Sequence, residues 1–226
     1  MTEVPNNEEH KWAQGLDRMK QSLENMTPDE RADKDRRRLE SENRRRLAVV
    51  DGLRHEMNAP QRQLICICRR EGPWAEKLAV LESKLGSGFT VGIVGKRGRG
   101  KTQMAVELMR CATDKRMSAR FLTAVEFFME IKASYRRESL DTELDIIRRY
   151  RRPRLLVIDE IGKRSESDWE NSLLFELLNK RYNDMTDTVL IDNRPQKDFC
   201  EAIGTSLASR IDESGGLIDC QWESFR

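Results

Sequence analysis

The residues whose types and spacing could do chemistry begin with Gly95-Lys96-Arg97-Gly98-Arg99-Gly100-Lys101-Thr102. Glycines at 95, 98 and 100 let a backbone curl until successive N–H groups face one point. A lysine and a hydroxyl close the run, which is the spacing of a phosphate-cradling loop. In that role the loop amides and the start of the next helix hold phosphates, Lys101 reaches the β- and γ-phosphates, and Thr102 ligates Mg²⁺. A second run, Leu155-Leu156-Val157-Ile158-Asp159-Glu160, stays apolar until it ends in two acids. Asp159 is placed to hold Mg²⁺ through water and Glu160 to polarise an attacking water. Transfer of phosphate to a bound hydroxyl does not need the second acid, so the pair favours hydrolysis over small-molecule phosphotransfer. The expected ligands are ATP and Mg²⁺.

Such a site needs a strand feeding the loop, a helix leaving it, and a neighbouring strand that carries the acids to the same edge. Beyond Gly88, short β-rich runs at 89–94, 120–123, 155–159, 189–192 and 217–220 alternate with helical patterns. This predicts an α/β fold with a five-stranded parallel sheet flanked by helices.

The upstream third reads differently. Trp12, Leu16, Met19, Leu23 and Met26 step by four and three, predicting a helix over 8–26. Thr27-Pro28-Asp29-Glu30 is a capping-box start for a second helix running to about Met57. Its expected inner face is Leu39, Leu47, Val50, Leu53 and Met57, giving an N-terminal helical hairpin. Arginine triplets at 36–38 and 44–46 alternate with Asp33, Asp35, Glu40 and Glu42, the pattern of a solvated, ion-paired face. Asn58-Ala59-Pro60 breaks the helix, and Trp74, Leu78, Leu81 and Leu85 mark another that ends at Gly86-Ser87-Gly88. The expected division is a helical partner-binding region over 1–85 and an ATPase domain over 86–226.

Composition sets bounds. The 226 residues are 35% charged with a formal net charge of +2, and the mean hydropathy is −0.73. No stretch is apolar enough to cross a membrane. Five scattered cysteines and no apolar leader point to a reduced, cytoplasmic protein. Cys66-Ile67-Cys68 with His55 lacks the second pair that a structural zinc site needs, so buried thiols are the expectation. Trp12, Trp74 and Trp169 read as core.

Together the two chemical runs resemble those of AAA+ P-loop ATPases of the DnaC/IstB type, the bacterial and phage replicative helicase loaders and their transposition-helper relatives. The resemblance covers about residues 89–226. It includes the stretch Trp169 to Tyr182, Val189-Leu190-Ile191-Asp192-Asn193, Ser209-Arg210-Ile211, and the closing Trp222-Glu223-Ser224-Phe225-Arg226. It implies that Asn193 is a sensor that orients water, that Arg210 is an arginine finger reaching the ATP of a neighbouring subunit, and that Arg226 is a second sensor within the same subunit. It implies a core without the C-terminal helical lid. It also implies an added helix between Phe121 and Tyr150 that touches single-stranded DNA, where Lys132, Tyr135, Arg136 and Arg137 mix cations with an aromatic.

Asp192 departs from the family pattern, which has Ser or Thr there. A carboxylate so placed would either repel the phosphates or bind Mg²⁺. The implied function is an ATP-hydrolysing DNA replication protein that loads a replicative helicase. It would grip the helicase through the N-terminal helices and assemble as a homo-oligomer or ring. The alternatives are a transposition helper and a nucleotide-switched adaptor with little hydrolysis.

Overall fold

The computed structural model describes residues 26–65 and 71–225. The helix expected over 8–26, Cys66, Cys68 and Arg226 lie outside the described residues. The described residues divide after Val49 into two compact units.

Helix α1 (Pro28–Glu56) begins in the smaller unit. Thr27 and Glu30 close the capping box, with Thr27 N–H donating to Glu30 Oε2 at 2.9 Å and Glu30 N–H donating to Thr27 Oγ1 at 3.3 Å. The charge-laced face is as expected: Arg36 and Arg37 pair with Asp33, and Arg38 with Glu42. The expected inner face divides, since Val50 and Met57 are buried while Leu39 and Leu47 are exposed.

In the larger unit a turn of helix, α2 (Gln61–Ile65), and α3 (Gly72–Lys84) precede β1 (Thr90–Val94). There follow α4 (Lys101–Asp114), β2 (Ala119–Thr123), α5 (Ala124–Ser134), α6 (Glu143–Arg151) and β3 (Leu155–Asp159). A short 3₁₀ turn (Ile161–Lys163), α7 (Asp168–Asn183) and β4 (Asp187–Ile191) come next, then α8 (Gln196–Ile203), α9 (Thr205–Ser214) and β5 (Gly216–Asp219). The strands form one parallel sheet in the order β2-β3-β4-β1-β5. In that order β1, with the phosphate loop, pairs with β4, whose other edge pairs with β3 and its terminal acids.

Alternate strand residues face opposite sides, so the sheet carries two apolar layers. On one side Val91, Ile93, Val157 and Val189 pack with Met104, Leu108, Trp74, Leu78 and Leu81. On the other Leu122, Leu156, Ile158 and Leu190 pack with Phe127, Tyr150, Leu177, Phe199 and Ile211. Met57, Ala59 and α3, read from the sequence as part of the partner-binding region, therefore contribute to the core of the larger unit. Met57 also lends its carbonyl to Phe121 N–H at 2.7 Å on the free edge of β2.

Two buried polar residues fix the frame. The Asp187 carboxylate accepts from the amides of Gly86 (2.6 Å), Gly88 (2.8 Å) and Phe89 (3.2 Å), which ties the entry to β1 against β4. That role explains why β4 starts at Asp187, earlier than its apolar run. Arg181 is wholly buried and donates to the carbonyls of Tyr150, Arg151, Pro153 and Asp187 and to Thr188 Oγ1, all at 2.6–3.0 Å. A planar fork with five donors suits this clamp on the turn into β3.

Candidate nucleotide-binding site

The site lies at the carboxyl edge of the sheet, where β1, β3 and β4 end side by side. It is a cleft of about 420 Å³ lined by the phosphate loop, Asp159, Glu160, Lys163, Asn193, Arg62, Gln63, Gln103 and Phe225. The loop brings together what the sequence separates by some sixty residues or more. Lys101 Nζ donates to Gly95 O at 2.5 Å, Lys96 O at 2.9 Å and Asn193 Oδ1 at 3.0 Å. Thr102 Oγ1 donates to Asp159 Oδ2 at 2.7 Å. Glu160 N–H donates to the other Asp159 oxygen at 2.6 Å.

Burial sets the electrostatics. It pushes the Lys101 ammonium down from the usual lysine range, against the pull of Asp159 and Asp192. It raises the Asp159 carboxyl, and the Thr102 and Glu160 hydrogen bonds oppose that rise. A hydroxyl and a carboxylate this close are hard oxygen donors, the set that suits Mg²⁺. Glu160 takes a left-handed backbone conformation (φ 59°) and its carboxylate pairs with Lys163.

Asp192 lies deep, with 2% of its side chain exposed. It accepts from Arg194 N at 3.0 Å, Nε at 3.0 Å and Nη2 at 2.7 Å. Arg194 also pairs with Glu166 at 2.5 Å. A Cβ on Gly162 would stand 2.7 Å from Arg194 Nε and 2.9 Å from Asp192 Oδ1, so the turn after Glu160 lies directly against this pair and a larger residue there would push on it. The carboxylate that departs from the family pattern is thus neutralised by its own neighbour two residues on.

The back of the loop is braced by residues that the sequence did not single out for this role. Trp74 Nε1 donates to Gly100 O at 3.1 Å, Trp222 Nε1 to Arg99 O at 2.8 Å, and Phe225 N to Gly98 O at 2.9 Å. Three successive residues of the loop, Gly98, Arg99 and Gly100, therefore give their carbonyls to outside donors. Arg99 returns the contact through Nη1 to Gln221 O at 3.0 Å, which accounts for one of the loop's cations. A Cβ on Gly100 would fall 2.9 Å from Trp74 Nε1 and 3.1 Å from the Phe225 ring, so the brace also demands glycine there. Trp74 is core, as expected, but its indole N–H reaches the site.

Lys96 and Arg97 are exposed, and Arg97 lines the cleft. Arg210 stands outside the cleft on α9, its guanidinium 5.2 Å from the Phe175 ring centre and 5.3 Å from that of Tyr182. Tyr182 Oη meets Glu213 at 2.9 Å. Lys132 lies 5.4 Å over Trp169 and 3.9 Å from Glu170. Tyr135 bonds Glu143 and packs near Trp169, and Arg136 and Arg137 are exposed in the turn after α5. None of these four is in the cleft. Between Phe121 and Tyr150 the chain forms two capped helices, α5 and α6, started by Thr123 with Glu126 and by Thr142 with Asp145. Among the described residues no cluster of His, Cys, Asp and Glu is arranged to hold a metal, and no helix is long and apolar enough to cross a membrane.

A family model described as IstB-like ATP binding protein matches residues 75–212. The replicative helicase loader DnaC of Escherichia coli (strain K12) is 23% identical over 133 residues, 58% of this chain and 54% of that protein. An insertion sequence IS232 putative ATP-binding protein of Bacillus thuringiensis subsp. berliner is 25% identical over 138 residues, 59% of this chain and 54% of that protein. The chain thus spans about half the length of the curated relatives it matches. In fold it is similar to a crystal structure of the DnaC helicase loader, with a TM-score of 0.58 at 19% identity, covering 67% of this chain and 93% of that one.

Proposed function

The chain belongs to the IstB-like ATP-binding protein family, and on that footing we propose that it is a Mg²⁺-dependent ATPase of DNA replication that loads a replicative helicase. The observation that carries the hydrolytic part is the meeting of Lys101, Thr102, Asp159, Glu160 and Asn193 in one cleft. The amides of residues 95–102 and Lys101 bind the phosphates. Thr102 and Asp159 hold Mg²⁺, which when bound offsets phosphate charge. Glu160, released from Lys163, polarises water, and Asn193, released from Lys101, orients it. Arg210 completes the site of a neighbouring subunit and Arg226 acts within its own.

The helicase docks on the N-terminal helices within 1–85, and single-stranded DNA runs over Lys132, Tyr135, Arg136 and Arg137. With the 23% identical helicase loader as the guide, the cognate replicative helicase is the partner to test. The full-length chain should co-elute with it on gel filtration with Mg²⁺ and ATP; separate elution under that condition would count against loading. A transposition helper is the second reading, favoured by the IstB-type match and the insertion-sequence relative. Tighter binding to long duplex than to single strands of equal length would select it.

A further inference from the structure

We propose that the amino edge of the sheet is a second nucleic-acid contact, where Arg116, Arg152 and Arg154 bind the phosphate backbone of DNA without reading its bases. This surface lies at the opposite end of the strands from the nucleotide cleft, and it goes beyond the path over Lys132, Tyr135, Arg136 and Arg137.

Two loops make the edge. Residues 115–118 lead into β2 and residues 152–154 into β3, and the parallel register sets Ala119 beside Leu155. The loops are bonded to each other, with Leu155 N–H donating to Ser118 O at 3.0 Å and Arg154 N–H to Ser118 Oγ at 3.1 Å. Adjacent strands are about 4.8 Å apart, so cations on neighbouring loops share one patch. On its flank Ser118, Arg120, Arg149 and Arg152, together with Glu56, line a cleft of about 200 Å³.

Ion pairing sets these arginines apart from their neighbours. Arg148 pairs with Asp145 at 3.3 Å, Arg149 with Asp141 at 2.5 Å and Glu130 at 3.2 Å, and Arg151 with Asp184 at 2.5 Å. Asp114 is taken by Arg54 at 2.8 Å. Arg116, Arg152 and Arg154 are exposed, and none of them pairs with a carboxylate among the described residues. The C-terminal ends of α4 and α6 point at the same edge and favour cations. That effect fades within the last turn, whereas Arg116 and Arg154 lie beyond it.

Unpaired guanidinium forks match phosphate oxygens two at a time, and a nucleic-acid strand offers about one charge per 3.4 Å. The exposed rings of Tyr135, Phe175 and Phe225 all lie elsewhere, beside Trp169, under Arg210 and at the phosphate loop. The edge therefore holds cations without a stacking platform, which suits a backbone and not a base. Tyr135 bonds Glu143 at the start of α6, and the nine residues of that helix, about 13 Å, separate the edge from the turn that holds Arg136 and Arg137. The two surfaces thus engage different phosphates.

The test is fluorescence-anisotropy titration of the full-length chain with a single strand, a duplex of equal length and a polyglutamate peptide, each over a range of salt. Arg116→Gln with Arg152→Gln removes one charge from each loop. It should lower the log–log salt slope by about 1.4 on the single strand or about 1.8 on the duplex, the form that moves being the one bound, with ATP affinity within about twofold of wild type. Arg116→Lys with Arg152→Lys should keep the slope. Arg36→Gln with Arg37→Gln takes the same charge from arginines already paired with Asp33 and should move the slope by less than about 0.5. A slope unmoved on both forms of DNA, or an equal fall in the Arg36 and Arg37 variant, would overturn the contact. Polyglutamate bound as tightly as DNA and lost in the same variant would make the edge a site for acidic protein and overturn it too. Wild type that binds ATP but neither form of DNA would overturn the edge and leave the nucleotide cleft standing.

Discussion

Replacing Arg194 with alanine should cost the fold more than a surface change would, because it strands a buried charge. Asp192, 2% exposed, accepts three N–H groups from Arg194. The variant keeps the backbone donor and loses the two from the guanidinium. Hydrogen bonds to a charged group are worth about 1.5–3 kcal/mol each. The Arg194 side chain is 26% exposed, so water can reach part of the gap. About 2–4 kcal/mol is then the expected loss, near the low end for breaking a buried pair from one side. Urea unfolding midpoints at constant slope would read it. Asp192→Ser in the Arg194→Ala background should recover most of the stability, since no charge is left to strand, and the double-mutant cycle should give a coupling of at least about 1 kcal/mol. Additive effects, or a loss below about 0.5 kcal/mol, would refute the view that Arg194 neutralises Asp192.

Trp74→Phe removes the donor to Gly100 O while keeping an apolar ring in the core, so ATP binding should weaken about fivefold with about 1 kcal/mol of stability lost. Calorimetry would check it, and unchanged ATP affinity would show that the brace is irrelevant to the loop. The Asp159 carboxyl is raised by burial, so ionising it opposes folding above the ordinary carboxylate pKa, and the penalty fades as pH falls through that range. Asp159→Asn without nucleotide should therefore raise Tm at pH 7 and by progressively less as pH falls toward about 3; a lower Tm at pH 7 would contradict this. If Arg136 and Arg137 contact single-stranded DNA, changing both to alanine should lower the salt dependence of binding by about 1.4 in the log–log slope. An unmoved slope in a fluorescence-anisotropy titration would remove them from the interface.

How much of this was legible follows from sequence distance and from burial. The phosphate loop and the Leu155–Asp159 strand are contiguous runs whose chemistry is written in adjacent residues, and the structure brings them together as read. The five strands follow from apolar runs bounded by turns, apart from the early start of β4. There Thr186, Asp187 and Thr188 are buried polar residues with tertiary partners, and no period in the sequence signals that. The brace was illegible for the same reason. Trp74 sits in a helical apolar pattern, and nothing local says that its one N–H meets Gly100 O, while Trp222 reaches the loop across more than a hundred residues. Lys163, three residues from Glu160, and Arg194, two from Asp192, lay close enough to be suspected as charge partners. Their directions are set by the turns after β3 and β4, which the sequence does not dictate. The part of the core supplied by Met57, Trp74 and Leu78 shows how an amphipathic helix reads alike whether it covers its own sheet or a partner.

The central claim is that the cleft at the end of β1 and β3 hydrolyses ATP with Glu160 as the water-activating group. Its most direct test is the single-turnover hydrolysis rate of Glu160→Gln beside wild type, at ATP concentrations where both are saturated. A drop of about 10²-fold or more with ATP affinity within about threefold of wild type is the expected result. An unchanged rate in Glu160→Gln would contradict it.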